Sequence, residues 1–366
     1  MNYVTIVMLA FSLLGALDRI LGNRFGLGKE FERGLMLLGT MALSMIGMLV
    51  LSPVLAQLLQ PCLQAMARVL PIDPSIIPAS LFANDMGGAP LSVEVAGNAQ
   101  VGAFNGLVVS TMMGCTISFT IPFALGMLEK EQKRGVLIGL LCGIVTIPAG
   151  CFVAGLVARV PILPLLLDMI PLAILSALIA FGLLKAPTVC VKIFSVLGFL
   201  IKALITVGLA IGIFTFLTGI EILPGADRFE NAALVVLNAA AVMTGAFPLL
   251  FVLSKLLQKP LQAMGKKLEI NQVAATGLFS TLASSMITFP LIKDMDSKGV
   301  VINAAFAVSA AFTFAGHLAY TLAFNASYLL SMIVGKLIAG ILAVVVAIFL
   351  YPKIFEKNED KNSDER

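Results

Sequence analysis

Apolar residues run along this chain in long blocks separated by short polar loops. Blocks of the roughly 20 residues that a membrane-crossing helix needs lie at about 3–22, 34–59, 101–128, 135–158, 164–184, 191–220, 231–254, 301–326 and 328–351. Two further stretches, about 72–97 and 270–297, are apolar but broken by Pro, Gly and acidic residues. Each is either a crossing helix or a re-entrant hairpin. The pattern predicts an all-α polytopic membrane protein with about nine full spans plus two re-entrant hairpins, or eleven spans if both broken stretches cross.

The polar positions repeat. "LLQPCLQAM" from Leu58 and "LLQKPLQAM" from Leu256 agree at seven of nine places, 198 residues apart. The same register pairs Phe31-Glu32 with Phe229-Glu230, Ala42 with Ala240, Met45 with Met243, Gly47 with Gly245 and Asn105 with Asn303. Shared glycines and polar residues in one frame point to duplication rather than to chance likeness between Leu-rich helices. The broken stretches are therefore equivalents, one per copy. The expected units are a first membrane repeat at 1–158, a linker helix at 159–190, a second repeat at 191–351 and a cytoplasmic tail at 352–366.

Loop charge orients the chain, because Lys and Arg stay cytoplasmic. With eleven spans the two sides hold 10 and 12 basic residues, which expresses no preference. With two re-entrant stretches they hold 19 and 3, which places the N-terminus outside and the C-terminus inside. The same parity inverts the second repeat relative to the first, an architecture that recurs in secondary transporters.

Composition narrows the function classes. The chain has 366 residues, 59% hydrophobic and 12% charged, against about 25% charged in soluble domains. The segment from Tyr351 is too short and polar to build a core, so a disordered end is expected. Five cysteines without CxxC spacing read as packing residues. The first basic residues, Arg19 and Arg24, follow the opening apolar run, which suits an uncleaved helix better than a signal peptide. A formal charge of +4 resides mostly in loops and does not suggest nucleic-acid binding. Walker, HExxH and GxSxG patterns are absent, and nothing resembles an enzyme, a metal centre or a cofactor site. Lipid is the partner of the apolar faces, and homo-oligomerisation is left open.

The candidate chemistry lies at the two breaks. Asp73-Pro74 has the form of an N-cap with Pro at N1, and about twelve residues at roughly 1.5 Å each carry the chain about 18 Å to Asp85. That is near the middle of a core about 30 Å thick. Gly87, Gly88 and Pro90 then permit a tight turn whose missing amide need not be paired. A carboxylate at mid-membrane costs roughly 3 kcal/mol even on a mild scale, which makes Asp85 a site candidate. Otherwise it caps a half-helix or pairs with Lys202 or Lys336. Glu94 is either a second site acid or a solvated acid near the outer surface. At the equivalent tip stand Ala283, Ser284, Ser285, Thr288 and Pro290, so one tip offers a carboxylate and the other hydroxyls. These hydroxyls either contact a ligand or bond their own backbone. The sole histidine, His317, is either a ligand contact or satisfied by a helix neighbour. Asn105 and Asn303 either line the path or join helices. A small polar cation fits this asymmetric pair of tips.

At "NDMGGAPLSVEVAG", "GIVTIPAG", "AFAVSAAFTFAGHL" and "IVGKLIAG" the chain resembles the ethanolamine permease family of bacterial ethanolamine-utilisation operons, over about residues 1–352. Ala315-Gly316 stands before His317 where some members carry an acid, so an acid–histidine pair is not expected here. The resemblance implies site roles for Asp85, Gly87, Gly88, Glu94 and His317. It also implies a bacterial cell-membrane protein that admits ethanolamine by facilitated diffusion, as the protonated cation, chiefly at acidic pH. Two other readings stand beside it: an ion-coupled symporter of another small amine or amino acid, and a non-transporting membrane scaffold or sensor.

Overall fold

The computed structural model describes residues 3–127 and 130–364. Among them every regular element is helical. The chain opens with α1 (Tyr3–Ile20), α2 (Leu27–Met36) and α3 (Leu38–Val69), then enters the first broken stretch through α4 (Ile76–Leu81) and α5 (Gly88–Val95). A continuous helix follows from Ala99 to Met127, comprising α6 (Ala99–Phe104), two π-helical segments (Asn105–Gly114 and Thr116–Thr120) and α7 (Ile121–Met127). Next come α8 (Lys130–Ile144), α9 (Ile147–Val157), α10 (Ile162–Lys185), α11 (Pro187–Thr218), α12 (Phe229–Leu256) and α13 (Gln258–Leu268). The second broken stretch holds α14 (Gln272–Ala283) and α15 (Ser285–Thr288), and the chain ends with α16 (Ser297–Ala310), α17 (Gly316–Asn325) and α18 (Leu329–Asp364).

Eight helical stretches among the described residues are long and apolar enough to cross a membrane, α2 with α3, α8 with α9, and α17 with the first part of α18 each counting as one beside the continuous helix from Ala99 to Met127. Hydropathy predicts nine, and the difference is local. The expected span 301–326 is two helices, parted at Ala311–Ala315, where Phe312 adopts a left-handed φ of 63°. This backbone opens because α14 stops beside it. The Phe312 amide donates to Thr281 O at 3.2 Å and the Phe314 amide to Leu282 O at 3.0 Å, two carbonyls at the broken end of α14. An unpaired carbonyl away from water costs several kcal/mol, so two interrupted helices complete one another. At the other extreme of the chain α18 stays helical through Asp364, where composition predicts an irregular end.

Both broken stretches are hairpins whose ends meet. In the first, the Asn98 amide donates to Asp73 Oδ2 at 3.0 Å. In the second, the Asn271 amide donates to Asp296 Oδ1 at 2.8 Å, and Asn271 Nδ2 to Asp294 O at 2.8 Å. Asp73 and Asn271, and likewise Asn98 and Asp296, are 198 residues apart. The acid and the amide have exchanged places in the second clasp. Asn98, Asn271 and Asp296 also accept from the first-turn amides of the helices that follow them, which satisfies donors that a helix start leaves orphaned.

Asn105 and Asn303 brace these hairpins. Asn105 Nδ2 donates to Ser75 Oγ at 2.9 Å and to Asp168 Oδ2 at 2.7 Å, while Asn303 Nδ2 donates to Ala274 O at 2.9 Å and Gly299 O at 3.0 Å. Each ties the first turn of a hairpin to the helix after it, and neither lines a cavity near the tips. Asp168, on α10, also accepts from the Asp73 amide at 2.8 Å and is buried.

Close packing rests on small residues, as expected where lipid supplies no hydrophobic drive between helices. A Cβ on Gly47 of α3 would collide with the Ile205 carbonyl of α11, and one on Gly208 of α11 with the Gly47 carbonyl. Four hydroxyls between residues 110 and 118 turn onto their own backbone: Ser110 onto Gly106 O, Thr111 onto Val108 O, Thr116 onto Met112 O and Ser118 onto Gly114 O.

Candidate functional site

The two hairpin tips face one cavity of about 450 Å³. Asp85 enters it from the first tip, Ser284 from the second, and His317 from the start of α17. Their convergence follows from three local events. Phe82 and Ala83 are extended, ending α4, and Asn84–Met86 makes a single tight turn. Gly87 then takes φ 115°, a conformation that side-chain-bearing residues rarely adopt. Gly88 has no room for a side chain either, since a Cβ there would meet the Phe82 carbonyl and lie 2.7 Å from Ser110 Cβ. Pro90 sits in the first turn of α5, where its absent amide leaves no bond unmade.

Asp85 has no cationic partner. It takes part in no ion pair among the described residues. Lys336 is buried and spends its ammonium on Thr111 O at 2.9 Å, while Lys202 is exposed. Around the carboxylate the walls are aromatic and thioether: Phe119, Phe247, Phe312, Met41, Met86 and Met243. Phe119 and Phe312 meet edge to face at 5.7 Å, and Phe312 lies 5.3 Å from the His317 ring. Aromatic faces and thioethers tolerate a cation without neutralising the acid that attracts it.

The residues read from the second tip divide. Ser284 lines the cavity and its Oγ accepts from the Met286 amide at 3.2 Å. Ser285 does not line it; it is fully buried and its hydroxyl has no partner. Thr288 is also off the cavity, accepting from Thr281 Oγ1 at 2.8 Å and donating to Gly277 O at 3.1 Å, so it fastens the hairpin. Pro290 is exposed within the short 3₁₀ turn Phe289–Asp294. Glu94 is separated from Asp85 by the length of α5 and lines a second cavity of about 180 Å³ with Ser52, Asp227, Asn231 and Phe324.

Several lining groups escape a reading of the sequence. Arg33 counts there only as loop charge, yet it reaches the cavity, with its guanidinium 4.8 Å from the Phe247 ring centroid and 3.4 Å from Glu30. Cys115, between the two π-helical segments, and Phe119, within the second, also line the cavity. No local signal marks them, because the close approach of this helix to the first tip, where a Cβ on Gly114 would overlap the Phe82 carbonyl, exists only in the folded chain.

A family model described as "Ethanolamine utilisation protein, EutH" matches residues 1–350. The chain belongs to the EutH family. A relative from Listeria monocytogenes named "Probable ethanolamine permease EutH" is 43% identical, covering 86% of this chain and 84% of its own length. A protein of the same name from Salmonella typhimurium is 38% identical over 86% of each chain. "Uncharacterized protein YxeR" from Bacillus subtilis is 39% identical over 87% of this chain and 86% of its own. No solved structure matches. For a EutH member the polytopic helical architecture is that of a membrane permease, and these names describe a carrier rather than an enzyme.

Proposed function

We propose that this protein carries ethanolamine into the cell as the protonated cation, by facilitated diffusion, across a bacterial cell membrane. The observation that carries the proposal is the unpaired Asp85 carboxylate, set in an aromatic and thioether cavity opposite Ser284 and His317. Ethanolammonium has complementary ends. Its ammonium answers the acid of the first tip and its hydroxyl the Ser284 hydroxyl or the His317 imidazole of the other wall. Relatives named as probable ethanolamine permeases support the substrate.

Orientation rests on the 19 to 3 division of basic loop residues, with the N-terminus outside, the C-terminus inside and the repeats inverted. On that reading the site cavity faces the cytoplasm, because it shares Arg33, Phe247, Ala283 and Ile287 with a cavity of about 490 Å³ that reaches Lys255 and Gln262.

The need for a carrier follows from amine chemistry. With a lysine-like pKa near 10, the permeant free base falls to about one part in 10⁴ at about pH 6. Uptake of radiolabelled ethanolamine, by cells lacking any other permease, should therefore depend on this protein more strongly as pH falls. Equal uptake with and without it at acidic pH would refute transport and favour a scaffold. Accumulation above the electrochemical gradient would instead favour an ion-coupled symporter.

A further inference from the structure

The cavities stand in file. Helix α12 measures them: Asn231, Ala232 and Val235 line the Glu94 cavity, Met243 and Phe247 the Asp85 cavity, and Ser254 and Lys255 the cavity beyond. Helix α3 gives the same order in reverse, with Leu49 and Ser52 at Glu94 and Thr40 and Met41 at Asp85. Helix α17 joins the same two, with His317 at one end and Phe324 at the other. Seven residues of helix separate those two, about 10 Å.

The interval between them is closed and oddly polar. Tyr320 and Thr321 lie on the His317–Phe324 face of α17, by the three- and four-residue spacing of helix neighbours. Both are at most 1% exposed, and neither hydroxyl makes a hydrogen bond. The Tyr320 ring stacks on Phe324 at 5.5 Å. Asn84, beside Asp85 in the turn that α17 packs against, is fully buried with its amide oxygen and nitrogen both unpaired. Buried polar groups left unpaired are rare in folded chains and ask for a partner.

We propose that the Glu94 and Asp85 cavities are two segments of one translocation path, closed by the Tyr320–Phe324 stack, and that Tyr320, Thr321 and Asn84 form the station that hydrogen-bonds an amino alcohol as it passes between them. Glu94 then attracts the cation at the far mouth, and Asp85 receives it. This rests on the transport reading above. It adds Tyr320 and Thr321 of α17 to the groups that the two tips supply.

Because these hydroxyls bond nothing in the structure, deleting them removes no interaction from the fold. Tyr320→Phe keeps the ring stack, and Thr321→Val keeps the shape. Each should raise the KM for ethanolamine about tenfold, the equivalent of one hydrogen bond of about 1.4 kcal/mol, with a melting temperature at or above wild type in detergent. Thr321→Ser should restore uptake. A purely structural role predicts wild-type uptake from both variants, and KM values within twofold of wild type would overturn the proposal. Should Tyr320→Phe not reach the membrane, the Thr321→Val and Thr321→Ser pair decides alone. A wild-type protein that moves no ethanolamine would refute the transport reading; a transporting wild type with indifferent Tyr320→Phe and Thr321→Val variants would refute the station only.

Discussion

Asp85→Asn isolates the charge at the first tip. The substitution keeps the size of the side chain and one acceptor oxygen, and replaces the negative charge and the second oxygen with a neutral NH2. An ammonium at about 4 Å in an effective dielectric near 20 feels an attraction of about 4 kcal/mol. Desolvation of both ions offsets part of it, leaving the roughly 1.5–3 kcal/mol typical of a hydrogen bond to a charged group. That range is a rise in KM of roughly 10- to 150-fold. Stability should move the other way or not at all, because the carboxylate has no cationic partner to lose and an amide is cheaper to bury. The assay is initial uptake of radiolabelled ethanolamine at about pH 6, where the amine is almost wholly cationic, over a range of concentrations and normalised to protein in the membrane. A KM within threefold of wild type would refute Asp85 as the counter-charge. A lowered melting temperature would show that it holds the fold instead.

Three further outcomes are expected. Cys62 is exposed, and on the inverted topology an impermeant thiol reagent labels it in intact cells, whereas Gln262→Cys in a Cys62→Ser chain is labelled only after permeabilisation; external labelling of both would contradict inversion. Asn105→Ala withdraws the donor to the buried Asp168 carboxylate and should cost about 2–3 kcal/mol of stability, seen as an earlier thermal transition in detergent, whereas an unchanged transition would deny Asn105 its bracing role. Just after α13, the Glu269 carboxylate accepts from the Lys298 ammonium at the start of α16 at 2.9 Å, which holds that carboxyl below its usual range. A depressed folded-state pKa contributes stability above the unfolded value that is lost as pH falls through the folded one; Lys298→Ala should therefore differ slightly from wild type in melting at neutral pH and converge with it in acid, and divergence in acid would contradict that sign.

Local rules sufficed for much of this protein. Asp73-Pro74, the glycine pair and the Ser284–Thr288 segment announce two breaks because caps and tight turns depend on adjacent residues alone. The 198-residue register carries over into the two clasps, Asp73 with Asn98 and Asn271 with Asp296, whose hydrogen bonds lie within one hairpin each. That Asp85 and Ser284 each stand at a break was legible for the same reason; that the two breaks share a cavity was not.

What the tertiary structure decided is which neighbour each side chain meets. Ser284 faces the cavity while Ser285 and Thr288 turn away; Glu94 belongs to another cavity; and the expected span 301–326 opens at Phe312 because α14 presents two carbonyls there. None of these is visible in hydropathy. Lipid tails are as apolar as a packed helix, so a run of Leu, Ala and Phe reads the same whether it faces bilayer, protein or the wall of a path. Local residue chemistry sets where the helices break and which acid stands at a break; packing between segments far apart in the chain sets which polar groups share a cavity and which are left, like Tyr320 and Thr321, without a partner.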